Sequence, residues 1–129
     1  MCLLSKKRGF DEVDFVKADI TNEEEIDRMI KKTIERFRDI NILVNNAATR
    51  LFDTTLNTSG EEWGFLMKIN VKAIFLRSKA VAQIMMEHKH GGKIINISSI
   101  LAFRSVIKRI PYCTSKAAVS QMTSGFATE

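Results

Sequence analysis

Residues 40–48 read Ile40-Asn41-Ile42-Leu43-Val44-Asn45-Asn46-Ala47-Ala48, and this stretch decides the fold. Its first five residues form a compact run rich in β-branched side chains, the composition of a strand covered on both faces in a parallel sheet. The run stops abruptly at two asparagines and two alanines. Such small and polar residues suit a tight turn beside a ligand.

Upstream, Val13 to Lys17 reads as a short strand ending at Asp19. Thr21 and Glu24 have the spacing of a capping box. Behind them Ile26, Met29, Ile30, Ile34 and Phe37 recur at helical intervals, so a helix is expected to about Arg38. Arg36 and Arg38 then sit at the negative end of its dipole. Downstream, Ser59 and Glu62 form a second capping box. They open a long helix, apolar at Leu66, Ile74, Val81 and Ile84 among others, that runs to about His88 and stops at Gly91-Gly92. Lys93 to Ser98 makes a further strand, and another helix begins at Tyr112. Strand and helix in alternation indicate an α/β fold with a doubly wound parallel sheet. Right-handed crossovers set successive strands side by side. Ligands bind at the carboxyl ends of such strands, which selects Asp19, the 45–48 turn and Ser98-Ser99.

A chain of 129 residues holds one domain. Its 45% hydrophobic and 27% charged content is that of an ordinary soluble globular protein. The net charge of +5 is scattered, and the densest cluster, Lys6-Lys7-Arg8, has only Phe10 near it. That pattern argues against nucleic acid as a partner. Cys2 and Cys113 match no metal-ligand spacing and fit a reducing compartment. No apolar run is long enough for a membrane span, and the stretch at the N-terminus is too short for a signal peptide. A cytoplasmic location is expected. His88 and His90 fall at a helix end, where imidazoles usually face the dipole, so no metal site is expected.

The single tyrosine, Tyr112, precedes Lys116 by four residues, which puts both on one face of a helix. Ser99 stands thirteen residues before Tyr112, at the end of a strand. These residues, with Asp19-Ile20, Asn45-Asn46-Ala47-Ala48, Asn70 in INVKAIF and the run YCTSK at 112–116, occur in the order found in classical short-chain dehydrogenases/reductases. The chain resembles that family over almost its whole length. The resemblance implies a Rossmann-type, three-layer α/β/α domain that interconverts a secondary alcohol and a carbonyl by hydride transfer with NAD or NADP, the two not being distinguishable. It implies Tyr112 as general acid/base, Lys116 as the cation beside it and a ligand of the nicotinamide ribose, and Ser99 as a donor to the substrate oxygen. Asn70 would anchor a water that links the lysine to solvent. Asp19 would bond the adenine and Ile20 pack on it, with Asn46 and Ala47 lining the adenosine side. The roles are chemically coherent: a free phenol holds its proton to about pH 10, so acid/base work near neutrality needs a cation next to it.

The chain departs from the pattern in several places. No G-x-G occurs, and the first ten residues hold only Gly9. The strand before Val13 is absent or reduced to Cys2-Leu3-Leu4, and Ala48 stands where glycine is usual. Residues 1–129 are therefore expected to form a single incomplete cofactor-binding domain, without the first strand, the glycine-rich loop and the C-terminal part. The loop after Ser99 is basic through Arg104, Lys108 and Arg109, which suits an anionic substrate such as a sugar acid or an acyl-carrier group. Sugar-acid dehydrogenases and 3-oxoacyl-carrier-protein reductases are the expected functional types. The alternative is an inactive, truncated relative that serves as a scaffold. In either case the 59–88 and 112–129 helices are expected to join copies into a homo-oligomer.

Overall fold

The structure, a computed structural model, describes residues 2–4, 13–89 and 91–129. Its elements are β1 (Cys2–Leu4), β2 (Val13–Phe15), α1 (Glu23–Phe37), β3 (Ile42–Asn45), α2 (Gly60–Met67), α3 (Ala73–Glu87), β4 (Lys93–Asn96) and α4 (Ile110–Phe126). A π-helical turn, Lys68–Lys72, joins α2 to α3, and one 3-10 turn, Ile100–Ala102, precedes α4. Among the described residues no helix is long and apolar enough to cross a membrane.

β3 and β4 pair in parallel, from Ile42 opposite Lys93 to Asn45 opposite Asn96. Side chains alternate across a strand, so Leu43, Asn45, Ile94 and Asn96 share one face. Against that face pack Ile26, Met29 and Ile30 of α1 and Val81 and Met85 of α3, with Ile40 and Leu43 completing the core. Each such side chain contributes about 1.5–3 kcal/mol by leaving water. α4 reaches the same face through Thr123, which bonds Asn96. The other face stays open: Ile42 is 57% exposed, Val44 48% and Ile95 44%. The fold is α/β and Rossmann-type, yet the described residues supply the sheet and one helical layer of the expected three.

Val13–Phe15 forms a strand, but it does not lie beside β3. It pairs antiparallel with Cys2–Leu4 instead. All three of its residues are exposed, so no packed face holds it against the parallel pair.

The cap of α1 also differs from expectation. Asn22 Oδ1 accepts from the amides of Glu24 and Glu25 at 2.9 and 3.3 Å. The amide of Thr21 is already taken by Asp19 Oδ1 at 2.8 Å, and asparagine is the stronger N-cap of the two. The Ser59–Glu62 capping box forms as read. The long helix it opens is interrupted once, where the amide of Ala73 bonds the Lys68 carbonyl five residues back. It ends at Glu87, with Lys89 already left-handed at φ 55°, and Gly91 at φ 67° turns the chain into β4.

Candidate active site

Because β3 and β4 run parallel, their carboxyl ends deliver Asn45–Ala48 and Ile97–Ser99 to one edge of the sheet. Three polar assemblies hold that edge. The first is centred on Asn45, buried at 2% exposure. Its Nδ2 donates to Ser78 Oγ at 3.1 Å and to Asn96 Oδ1 at 2.8 Å, and its Oδ1 accepts from Arg77 Nε at 2.8 Å. Asn96 Nδ2 donates onward to Thr123 Oγ1 at 2.9 Å, so one asparagine pair ties β3 and β4 to α3 and α4. Arg77 is itself buried, and its two terminal nitrogens meet no partner among the described residues. Burial pulls this guanidinium down to about 10, which leaves it charged at neutral pH.

The second assembly is built on Asn70, fully buried in the π turn. Its Oδ1 accepts from the amide of Thr49 at 2.8 Å, while Nδ2 donates to the Thr49 carbonyl and to Ser115 Oγ, both at 3.0 Å. Ser115 Oγ in turn donates to the Tyr112 carbonyl at 2.8 Å. The side chain of Asn70 thus clamps the turn after β3 to the first turns of α4. Both of its amide hydrogens are spent on protein acceptors.

The third assembly gathers Lys116, Ser98 and Ser99 around the start of α4 and Tyr112. Lys116 is 3% exposed; its Nζ donates to the Ile97 carbonyl at 2.7 Å and lies 5.7 Å from the centre of the Tyr112 ring. Burial lowers the pKa of this ammonium. Ser98 Oγ donates to the Lys116 carbonyl at 2.9 Å, which fixes α4 against the end of β4. Tyr112 is half-buried, and its hydroxyl makes no hydrogen bond among the described residues. Ser99 Oγ caps the 3-10 turn by accepting from the Leu101 amide at 3.1 Å and keeps its own proton to donate. Tyr112 and Lys116 are brought together; Ser99 lies on the neighbouring turn without a hydrogen bond to either.

Asp19 is exposed ahead of α1, and its carboxyl is held below the usual carboxylate range by hydrogen bonds from the Thr21 backbone and side chain. Ile20 beside it is partly buried, while Asn46 and Ala47 are exposed at the end of β3. His88 Nδ1 meets Asp39 Oδ1 at 3.0 Å, and His90 lies outside the described residues. Among the described residues no three metal-ligating side chains gather.

A family model described as short chain dehydrogenase matches residues 4–129. The chain belongs to the short chain dehydrogenase family. It is 37% identical over 101 residues to 2-dehydro-3-deoxy-D-gluconate 5-dehydrogenase of Dickeya dadantii, covering 78% of this chain and 40% of that protein. It is 34% identical over 114 residues to 3-oxoacyl-[acyl-carrier-protein] reductase of Synechocystis, covering 88% and 46%. The crystal structure of a short-chain type dehydrogenase/reductase from Mycobacterium marinum superposes with a TM-score of 0.84 at 29% identity, over 88% of this chain and 45% of that one. The chain therefore spans less than half the length of these relatives.

In this member of the family, the supporting residues are the ones sequence reasoning missed. Asn45 was legible only as part of a turn, although a polar residue ending an apolar strand is a signal of a buried junction. Ser115 sits inside the YCTSK run without a role of its own until its bond to Asn70 is seen. Arg77 carries no sequence signal, because an arginine on a long helix normally faces solvent.

Proposed function

We propose that the chain carries the acid/base centre of an NAD(P)-dependent oxidoreductase that interconverts a secondary alcohol and a carbonyl. The observation that carries this reading is the Tyr112–Lys116 pair: a buried ammonium 5.7 Å from the ring of a phenol that is unpaired among the described residues, at the carboxyl edge of a parallel sheet.

The residues present fit the nucleoside parts of such a cofactor. Lys116 spends one donor on Ile97 and keeps two for ribose hydroxyls. The small exposed side chains of Asn46 and Ala47 leave the backbone after β3 open to a flat group, with Asp19 and Ile20 assigned to the adenine. The chain contains no G-x-G to receive the diphosphate. When bound, the nicotinamide supplies or accepts the hydride.

The protein's own groups handle the proton. In the reducing direction Tyr112 Oη gives its proton to the carbonyl oxygen, and Lys116 stabilises the phenolate left behind. Ser99 Oγ donates a hydrogen bond to the same oxygen as its charge grows. Asn70 acts one step removed, holding the Tyr112 turn through Ser115. By likeness to the relatives, the substrates are of the sugar-acid or 3-oxoacyl type.

Homo-oligomer formation through the 59–88 and 112–129 helices belongs to this proposal. Its support is Phe75, 43% exposed and stacked on Phe126 with ring centres 6.1 Å apart. The same apolar surface favours a second reading, a silent association module. Calorimetric titration with NADH and NADPH, paired with turnover by wild type and Tyr112→Phe, separates the two. Catalysis predicts micromolar cofactor binding in both proteins and a 100-fold or greater loss of turnover in the variant. A folded oligomer that binds neither nucleotide supports the module.

A further inference from the structure

Two loops meet beside the first turn of α4, and both bring cations. Arg109 is the N-cap residue of α4, three residues before Tyr112 and seven before Lys116. Its guanidinium lies 3.3 Å from the centre of the Phe52 ring, and that of Arg50 lies 5.8 Å from the same ring. Phe52 is 55% exposed, so its ring and the two guanidiniums on it are open to solvent. Neither arginine makes an ion pair among the described residues. The nearby acid, Asp53, turns its Oδ1 into its own loop, accepting from the Thr54 amide at 2.7 Å and Asn57 Nδ2 at 3.1 Å. A pocket of about 360 Å³, lined by Asp53–Thr55, Ser105–Lys108 and Ile110, opens between the same two loops. From Ile94 to Thr128 the chain contains no acidic residue.

Two like charges on one aromatic ring repel each other, and stacking offsets only part of that. An oxyanion between them removes the repulsion. It also engages the in-plane N–H donors that stacking leaves free, since guanidinium binds carboxylate and phosphate in a two-pronged fashion. We infer that Arg50 and Arg109, propped on Phe52, form the specificity element of the site and select a small hydroxy or oxo acid whose anionic group docks there while its reacting carbon faces Tyr112. This inference rests on the oxidoreductase reading for the identity of the reacting group, and on the arginine geometry for the anion.

Binding tests it without turnover. The full chain is titrated by NMR with 3-hydroxybutyrate, with its uncharged methyl ester and with inorganic phosphate. Saturable shifts at Phe52 and Arg109 are expected for the acid and at least ten-fold weaker binding for the ester. Arg109→Ala and Arg50→Ala should each weaken the acid ten-fold or more and leave the ester unchanged. Phosphate that competes with the acid identifies a general oxyanion site; phosphate without effect identifies a carboxylate site. Equal binding of acid and ester, no binding of either anion, or acid binding that survives both arginine variants overturns the inference. Failure of the oxidoreductase reading would show instead as absent turnover with anion binding intact.

Discussion

Lys116 Nζ and the carbonyl oxygen of Ile97 are joined by a 2.7 Å hydrogen bond that crosses from α4 to the end of β4. The bond holds a buried ammonium in place next to the Tyr112 ring. It does so at a desolvation cost, visible as the lowered pKa. Below its folded pKa the ammonium is charged in both folded and unfolded chains, and the cost is constant. Above that value the folded chain releases the proton first, while the unfolded chain keeps it up to about 10.5, so stability rises with pH across that window. Urea unfolding of wild type and Lys116→Met from pH 7 to 10.5 should show the difference moving in favour of wild type as pH rises. A difference that stays flat would count against a desolvated cation. In the same variant, NAD(H) or NADP(H) affinity should drop at least ten-fold.

Asn70→Ala leaves the Thr49 amide and carbonyl and the Ser115 hydroxyl without their partner. Buried groups stripped in this way cost about 1–3 kcal/mol each, with some relief from entering water. The expected loss is roughly 2–4 kcal/mol in denaturant unfolding. Asn46→Ala, at an exposed position, should stay within about 0.5 kcal/mol. Equal effects of the two substitutions would remove Asn70 from its clamp role.

Arg77 makes the opposite case. Among the described residues it is a buried charge with one hydrogen bond and two unpartnered nitrogens, and replacing such a charge with an apolar chain is often stabilising. Arg77→Met should raise the unfolding free energy by about 1–3 kcal/mol, after allowing for the acceptor lost to Asn45. A fall of more than about 1 kcal/mol would mean that the guanidinium nitrogens are satisfied after all.

Gly92 sits where an added Cβ would run into the side chain of Met85, itself packed in the core. Gly92→Ala should cost about 1–3 kcal/mol by overpacking. Thermal melts of Gly92→Ala with and without Met85→Ala test this, because the smaller neighbour should recover part of the loss.

The sequence was most informative where local chemistry acts alone. The Ser59–Glu62 box, the spacing of Ile26, Met29 and Ile30, and the apolar run before Asn45 all built the elements they suggested. Tyr112 and Lys116 were legible because four residues on a helix fix a face. Reading failed where competition between neighbours decides. Thr21 lost its cap to Asn22, and Val13–Phe15 found an antiparallel partner that periodicity does not encode. The clamp from Asn70 to Ser115 spans 45 residues, and no local rule links such distant positions.

The π turn carries one more consequence. Leu66 and Met85 are nineteen residues apart, and both are buried, 1% and 5% exposed. Five turns of a straight α-helix take eighteen residues, so a regular helix would swing Met85 about 100° away from the line of Leu66. The widened turn at Lys68–Lys72 absorbs the surplus residue and resets the phase. The long helix therefore behaves like a ruler with one spare notch. Removing one residue within that turn should leave both ends facing the protein interior. Removing one from Leu76 to Gln83 should turn Met85 outward and uncouple the helix from the sheet.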